Sequence, residues 1–128
     1  MILHLLRHGQ SVWNVEERVQ GQTHHVPLTA DGVRQAREAR ERLAGVPLAA
    51  VLSSDQVRAR QTADVVADAH GLPVRETTLL REQGLGSLEG KHYSELEEEA
   101  TPEGAHVSEV RWGGGESMAD VAARLRVL

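Results

Sequence analysis

The sequence predicts an α/β domain in which helices cover both faces of a mostly parallel sheet. Three short apolar runs typical of buried strands, at 2–6, 48–52 and 74–77, alternate with segments of helical periodicity at 29–45 and 59–67. Strands that alternate with helices of this length imply right-handed crossovers and parallel pairing. The chain of 128 residues has the length of one ordinary domain, so one hydrophobic core is expected.

Each element in the first half has its own local signals. The run at 2–6 is almost continuously apolar, which is typical of a strand buried on both faces. The first helix is predicted between Thr29, a good N-cap residue, and Gly45, a good C-cap residue. The second helix has apolar or small residues at i, i+3, i+4, i+7 and i+8 over 59–67, and Gly71 stops it.

The second half begins with a glycine-rich stretch and ends in a helix. The glycines at 84, 86 and 90 predict a long functional loop, and an acidic helix is predicted at 94–100. Ser117, with Asp120 three residues later, is a plausible N-cap for a last helix. Neither a glycine cap nor a proline follows that helix before Leu128, so the chain is expected to stop inside an element.

Composition excludes several classes of function. Fourteen Lys and Arg against nineteen Asp and Glu give a net charge of −5, which argues against a nucleic-acid-binding protein. No apolar run of the length of a membrane span occurs, so no membrane association is expected. The absence of cysteine excludes disulfides, thiolate nucleophiles and cysteine zinc sites, and we expect a cytoplasmic enzyme.

Basic side chains follow the first two predicted strands. Arg7 and His8 come directly after the first run, and Arg58 lies in the first turn of the helix after the second run. Ligands of open α/β sheets bind at the carboxyl ends of the strands, so these residues are expected to meet. Two guanidiniums and a helix N-terminus could bind a dianionic phosphoryl group, although Arg58 could also be a solvated arginine like its neighbour Arg60.

A carboxylate follows the third predicted strand. Glu82 lies on the glycine-rich loop, where it could donate a proton to a leaving oxygen. Taken alone, a glutamate on a loop is more often a solvent residue.

Several short motifs, which occur in a characteristic order and spacing, carry the family resemblance. They are Arg7-His8-Gly9-x-Ser11-x-x-Asn14, Gln20-Gly21, Pro27-Leu28-Thr29-x-x-Gly32, Ser53-Ser54-x-x-x-Arg58-Ala59-x-x-Thr62-Ala63, Leu80-Arg81-Glu82, Leu88-Glu89-Gly90 and Gly115-Glu116-Ser117. Together they resemble the histidine phosphatase superfamily, also called phosphoglycerate-mutase-like, over nearly the whole chain.

The resemblance implies a phosphohistidine mechanism. His8 would be the nucleophile, Arg7 and Arg58 would bind the equatorial phosphoryl oxygens, and Asn14 would line the same pocket. Glu82 would protonate the leaving alkoxide and then help water attack the phosphoenzyme. The scheme needs no metal and no other cofactor.

The resemblance also implies a substrate class. Gln20 and Gly21 match the loop that borders the substrate in relatives, and the substrate would be a small phosphorylated metabolite. The compact arrangement around Glu82 favours a phosphatase over a phosphoglycerate mutase. A phosphoryl-binding module that has lost catalysis is a further alternative, although a binder would need neither His8 nor Glu82.

Two features depart from the family pattern. The stretch at 22–26 is one residue longer than usual and contains His24 and His25, but two adjacent histidines seldom ligate one ion and no metal site is predicted. The family's second catalytic histidine, in a Ser/Thr-His-Gly element after the last helix, is not in this sequence. His70-Gly71 looks similar but lies at a predicted helix end, where Gly71 is the cap.

These departures lead to an expectation about completeness. Residues 1–128 are expected to form a histidine-phosphatase-like domain that lacks C-terminal strands and is a poor catalyst alone. Loss of a neighbouring strand would leave an unpaired edge at the first strand, and such an edge favours association, so a homodimer is possible.

Overall fold

A computed structural model describes residues 1–128. Its helices and strands, in chain order, are α1 (Val12–Val15), α2 (Ala30–Leu43), β1 (Val51–Ser53), α3 (Val57–Asp68), β2 (Val74–Glu76) and α4 (Met118–Leu125). Between β2 and α4 lie five short 3₁₀ turns, at Thr78–Leu80, Gly86–Leu88, Tyr93–Glu95, Val107–Glu109 and Trp112–Gly114. β1 and β2 pair in parallel. The predicted α/β class is therefore confirmed.

The core lies between α2, α3 and the two strands. α2 packs against α3, and α3 also contacts both strands. The buried apolar side chains of these helices are short: Ala36, Ala63, Val66 and Ala67. The chain has no phenylalanine with which to fill its core. Small side chains fill it instead, because they let the two helices approach closely.

Two helices, α2 and α4, confirm the predictions made from their N-cap residues. Thr29 caps α2, and its side chain accepts a hydrogen bond from the backbone N–H of Gly32. Ser117 caps α4 in a full capping box with Asp120. α2 ends one residue before its predicted C-cap region, with Ala44 rather than Gly45 at the cap. Helix ends depend on hydrogen bonds within one turn, and that is why the sequence predicts them well.

The first predicted strand is wrong. Residues 1–10 contain no strand, and the sheet has only two members, β1 and β2. Ile2 and Leu5 are 83% and 87% exposed instead of buried on both faces. An apolar run indicates a preference for burial, but a strand forms only where a neighbouring strand pairs with its backbone hydrogen-bonding groups. No strand lies beside this segment.

One other expectation needs correction, and one helix was not expected. The acidic helix at 94–100 is absent, and only the 3₁₀ turn Tyr93–Glu95 forms there. Residues 96–100 are exposed, so no apolar face packs to offset the cost of starting a helix in a run of glutamates. Conversely, the four-residue α1 was not predicted, because it is too short to show periodicity.

No helix has both the length and the apolar character needed to cross a membrane.

Candidate active site

The backbone around His8 is held between α2 and α3. The N–H of Gly9 donates to Oγ1 of Thr62 in α3, at 3.1 Å. On the other side a Cβ placed on Gly9 would lie 2.3 Å from the carbonyl oxygen of Gly32 in α2. Gly9 and Gly32 thus let two backbones touch, and this contact sets the position of the neighbouring His8.

The imidazole of His8 is oriented by the carbonyl group of the next residue, Gly9. Its Nδ1 lies 2.6 Å from the carbonyl oxygen of Gly9. A carbonyl oxygen can only accept, so Nδ1 carries the proton and Nε2 has a free lone pair. Burial lowers the pKa of His8 from its ordinary value, and the charges of Arg58 and Arg7 lower it further, whereas the Gly9 bond and Glu82 act in the opposite direction. The neutral form of the ring is therefore favoured, and the lone pair of Nε2 is available to a ligand.

Arg58 is a buried cation without a carboxylate partner. Its side chain is among the three largest that are fully buried, with 1% of the residue exposed. It donates to the carbonyl oxygens of Thr23 and Gly21, both at 2.8 Å, and its buried Nε has no partner. Burial is the main cause that lowers the pKa of this guanidinium. A buried charge that lacks a counter-ion favours an anionic ligand.

The comparison with Arg60 separates the two interpretations of Arg58. Arg60, two residues later, is partly exposed and forms ion pairs with Asp64 and Glu76. The alternative that Arg58 is a solvated arginine like Arg60 is therefore wrong.

A polar cleft adjoins His8. It has a volume of about 360 Å³ and is lined by Arg7, His8, Gln10, Asn14 and Gln35. The side-chain oxygen of Asn14 accepts a hydrogen bond from the backbone N–H of Ser11, which leaves the Asn14 NH₂ group free to donate. Arg7 is exposed, so its guanidinium can reach a ligand in the cleft. The cleft combines a cation, an amide donor and a free imidazole nitrogen.

Gln20 and Gly21 do not line this cleft, and both contact protein groups instead. The Gln20 side-chain oxygen accepts a hydrogen bond from the Ser11 hydroxyl. Gly21 has a positive φ of 48°, and a Cβ there would lie 2.3 Å from Oε1 of Glu89. Its carbonyl oxygen accepts from Arg58. Gly21 therefore helps to hold Arg58 in place.

Glu82 lies on the surface near the cleft. Its charge is close enough to influence the pKa values of both His8 and Arg58. The residue is exposed, and its carboxylate accepts only the backbone N–H of the adjacent Gln83, at 3.0 Å. The carboxylate is thus free to approach a ligand.

The other histidines lie in different surroundings. His24 and His25 are exposed, and His25 packs edge-on against Trp13 with ring centroids 5.7 Å apart. His70 has both ring nitrogens against carbonyl oxygens, of Val66 in α3 and of Leu43 and Val46 at the end of α2. No group of three or more His, Cys, Asp or Glu side chains could hold a metal ion.

Several residues that shape the site were not assigned a role from the sequence. Thr62, Glu89 and Glu116 occur in the motifs but were given no function, and only their hydrogen bonds show one. Gln56 and Arg124 had no sequence signal at all. Both use long polar side chains to reach backbone groups far away in the sequence, which no local pattern reveals.

Comparisons with known proteins agree on one family. The family model described as "Histidine phosphatase superfamily (branch 1)" matches residues 3–128. A protein named "Probable phosphoglycerate mutase GpmB" of Klebsiella pneumoniae subsp. pneumoniae is 38% identical over 133 aligned residues, which cover 96% of this chain and 59% of that protein. The protein of the same name in Proteus mirabilis is 39% identical, with 97% of this chain and 59% of that protein covered. The chain thus spans 59% of the length of these curated relatives.

Solved structures are similar over nearly the whole chain. A mycobacterial glucosyl-3-phosphoglycerate phosphatase, in complex with VO3, has a TM-score of 0.83 and 38% identity, with 94% of this chain and 58% of that chain covered. Bacillus stearothermophilus YhfR has a TM-score of 0.76 and 32% identity, with 92% and 60% covered.

Proposed function

Because this chain belongs to branch 1 of the histidine phosphatase superfamily, we propose that it is a phosphomonoester phosphatase that forms a phosphohistidine on His8. The observation that carries the proposal is the state of His8. Its Nδ1–H donates to the Gly9 carbonyl oxygen, its pKa is lowered, and Nε2 is left free beside the cations Arg7 and Arg58. An unprotonated nitrogen next to two cations suits in-line attack on a phosphoryl dianion.

The first chemical step transfers the phosphoryl group to the protein. Arg7, Arg58 and the NH₂ group of Asn14 bind the phosphoryl oxygens. The Nε2 lone pair of His8 forms the N–P bond while the P–O bond to the leaving group breaks. The protonated carboxyl group of Glu82 gives its proton to the leaving oxygen, which departs as an alcohol.

The second step returns the protein to its starting state. The Glu82 carboxylate takes a proton from a water molecule as the water oxygen attacks phosphorus. The N–P bond breaks, its electron pair returns to Nε2 of His8, and inorganic phosphate leaves. Nδ1–H keeps its hydrogen bond to the Gly9 carbonyl oxygen throughout, so the ring does not turn between steps.

Solvent access favours hydrolysis over transfer. Arg7 and Glu82 are both exposed, so water can reach a phosphoryl group on His8. A mutase has to keep water away from its phosphoenzyme until the second transfer. Phosphoglycerate mutase is the second candidate, because relatives 38% identical are named for that activity. Release of free phosphate, compared with interconversion of phosphoglycerate isomers by the same preparation, decides between the two.

Trapping of the phosphoenzyme tests the nucleophile. The protein is incubated with a labelled phosphoryl donor and quenched in alkali, where phosphohistidine survives, and duplicate samples are then exposed to acid. We expect acid-labile label that His8→Ala abolishes and His106→Ala retains, since His106 only caps an exposed turn. Label that persists in His8→Ala, or none in the unmodified protein, would contradict the proposal and favour a phosphoryl-binding module.

Leaving-group dependence tests the role of Glu82. We expect Glu82→Gln to slow hydrolysis of an alkyl phosphate by roughly 10²–10⁴-fold. An aryl phosphate with an acidic leaving group should lose much less, because its oxygen departs without a proton. Equal losses on both substrates would exclude Glu82 as the general acid.

The remaining proposals concern the setting. We propose a small phosphorylated metabolite as substrate and a cytoplasmic location, because such charged metabolites do not cross membranes and accumulate there.

We also propose that two copies associate through the exposed apolar residues at 2–6, whose backbone has no strand partner. Sedimentation of the protein with Leu5→Lys, which should shift a dimer toward monomer, tests this.

A further inference from the structure

The loop that carries Glu82 is held by one arginine of α4. Arg124 donates to the carbonyl oxygens of Leu79, Arg81 and Glu82, with Nη2 at 2.6 Å from the second and 3.1 Å from the third. Only 15% of the Arg124 side chain is exposed. A guanidinium with five N–H donors in a rigid plane can hold several carbonyls in one geometry, which a lysine cannot do.

Glu116 completes this contact from the other side. Its carboxylate accepts hydrogen bonds from Nε of Arg124 at 2.9 Å, from the N–H of Gly84 at 2.8 Å and from the side-chain amide of Gln22 at 2.9 Å. The hydrogen bond from Arg124 is the main cause that lowers the pKa of Glu116. The pair thus joins α4 to the loop on both sides of Glu82.

The consequence is a fixed backbone with a free side chain. The N–H of Glu82 donates to the side chain of Gln56 at 3.0 Å. Its carbonyl oxygen accepts from Arg124 and from Gln22, both at 3.1 Å. The Glu82 carboxylate, by contrast, bonds only to the adjacent N–H of Gln83. Three separate parts of the chain therefore hold the main chain of Glu82 while its carboxylate can move.

We propose that Arg124 and Glu116 are positioning residues that place the Glu82 carboxylate over the cleft next to His8. The inference rests on the proposed function, in which Glu82 protonates the leaving oxygen. A general acid must lie within hydrogen-bond reach of that oxygen, and a displacement of 1 Å can cost about 10²-fold in rate. Neither residue touches the substrate in this scheme.

The test compares two substrates in matched variants. For Arg124→Ala we expect kcat for an alkyl phosphate to fall by about 10²-fold, with little change for an activated aryl phosphate and with KM retained. Arg124→Lys should give an intermediate loss. Arg111→Ala is the control, because it removes a two-bond ion pair with Asp120 on the same helix without touching the loop. It should behave like the unmodified protein.

A second variant covers the case in which Arg124→Ala lowers the folded fraction. Glu116→Gln keeps the side-chain shape but removes the charge and replaces one acceptor oxygen by an NH₂ donor, which faces another donor in either orientation. It should show the same selective loss on the alkyl phosphate. In a Glu82→Gln background, Arg124→Ala should add no further loss, because two changes that act through one group are not additive.

The outcomes separate this inference from the proposed function. If the unmodified protein hydrolyses both substrates and Glu82→Gln shows the selective loss, but Arg124→Ala and Glu116→Gln slow both substrates equally, the positioning role is excluded and the proposed function stands. If the unmodified protein hydrolyses no phosphomonoester and forms no phosphoenzyme, the proposed function fails and this inference fails with it.

Discussion

At Gly32, in the first turn of α2, helix propensity and tertiary packing make opposite predictions for a change to alanine. Propensity favours alanine over glycine by about 1 kcal/mol in a helix. However, a Cβ on Gly32 would lie 2.0 Å from the carbonyl oxygen of Gln10, whereas ordinary contact begins at 3.4 Å. That oxygen is backbone and accepts the N–H of Thr29 at 2.9 Å, so it cannot turn away as a flexible side chain would.

The magnitudes decide the sign. Overpacking of this kind costs about 1–3 kcal/mol. In the variant, displacement of the Gln10 carbonyl oxygen also strains its hydrogen bond from the N–H of Thr29, which costs about 1 kcal/mol more. This loss cancels the gain of about 1 kcal/mol in helix propensity. We therefore expect Gly32→Ala to lower the free energy of unfolding by about 1–3 kcal/mol. Because Gln10 is two residues from His8, phosphoenzyme formation should also slow in the folded protein.

Urea unfolding followed by circular dichroism measures this effect, and Gly45→Ala is the matched control. Nothing lies within 4 Å of a Cβ on Gly45, and its φ is not positive. That change should be neutral or stabilising by up to about 1 kcal/mol. A Gly32→Ala protein as stable as the unmodified one would refute the tight packing of α2 against the segment that carries His8.

Three further outcomes are expected. Thr62→Val should lower the free energy of unfolding by about 1–3 kcal/mol, because it leaves the buried N–H of Gly9 without an acceptor, whereas the exposed Thr78→Val should have little effect in the same urea assay. Arg58→Ala should weaken vanadate binding, measured by inhibition, by about 1.5–3 kcal/mol for each charge-assisted bond lost, and unchanged inhibition would place the anion elsewhere. Hydrogen bonds to three carbonyl oxygens raise the pKa of His70, so its contribution to stability is complete below its ordinary pKa and is lost as the pH rises through the raised value. The stability difference between the unmodified protein and His70→Ala should accordingly shrink as the pH rises, and a difference that grows would be contrary to this.

Local interactions account for the parts of the fold that the sequence predicts. The first residues of α2 and α4 follow from Thr29 and Ser117, whose side chains accept hydrogen bonds from N–H groups only three residues away. The stripe of small residues in α3 likewise follows from a periodicity within one segment. These signals can be identified without the rest of the chain, because each cap or stripe is a property of neighbouring residues.

Burial and pairing depend on residues that are far apart in the sequence, and only the tertiary structure decided them. The run at 2–6 has the composition of a buried strand, yet it is exposed, because strand formation needs a second backbone. Arg58 and Arg60 are the same residue type, but Arg58 is buried and donates to the carbonyl oxygens of Gly21 and Thr23. Arg60 is partly exposed and pairs with Asp64 and Glu76. The sequence by itself therefore determined α2, α3 and α4, the α/β class and the candidate residues. Long-range contacts decided which of those candidates are buried and which charged side chains lie near His8.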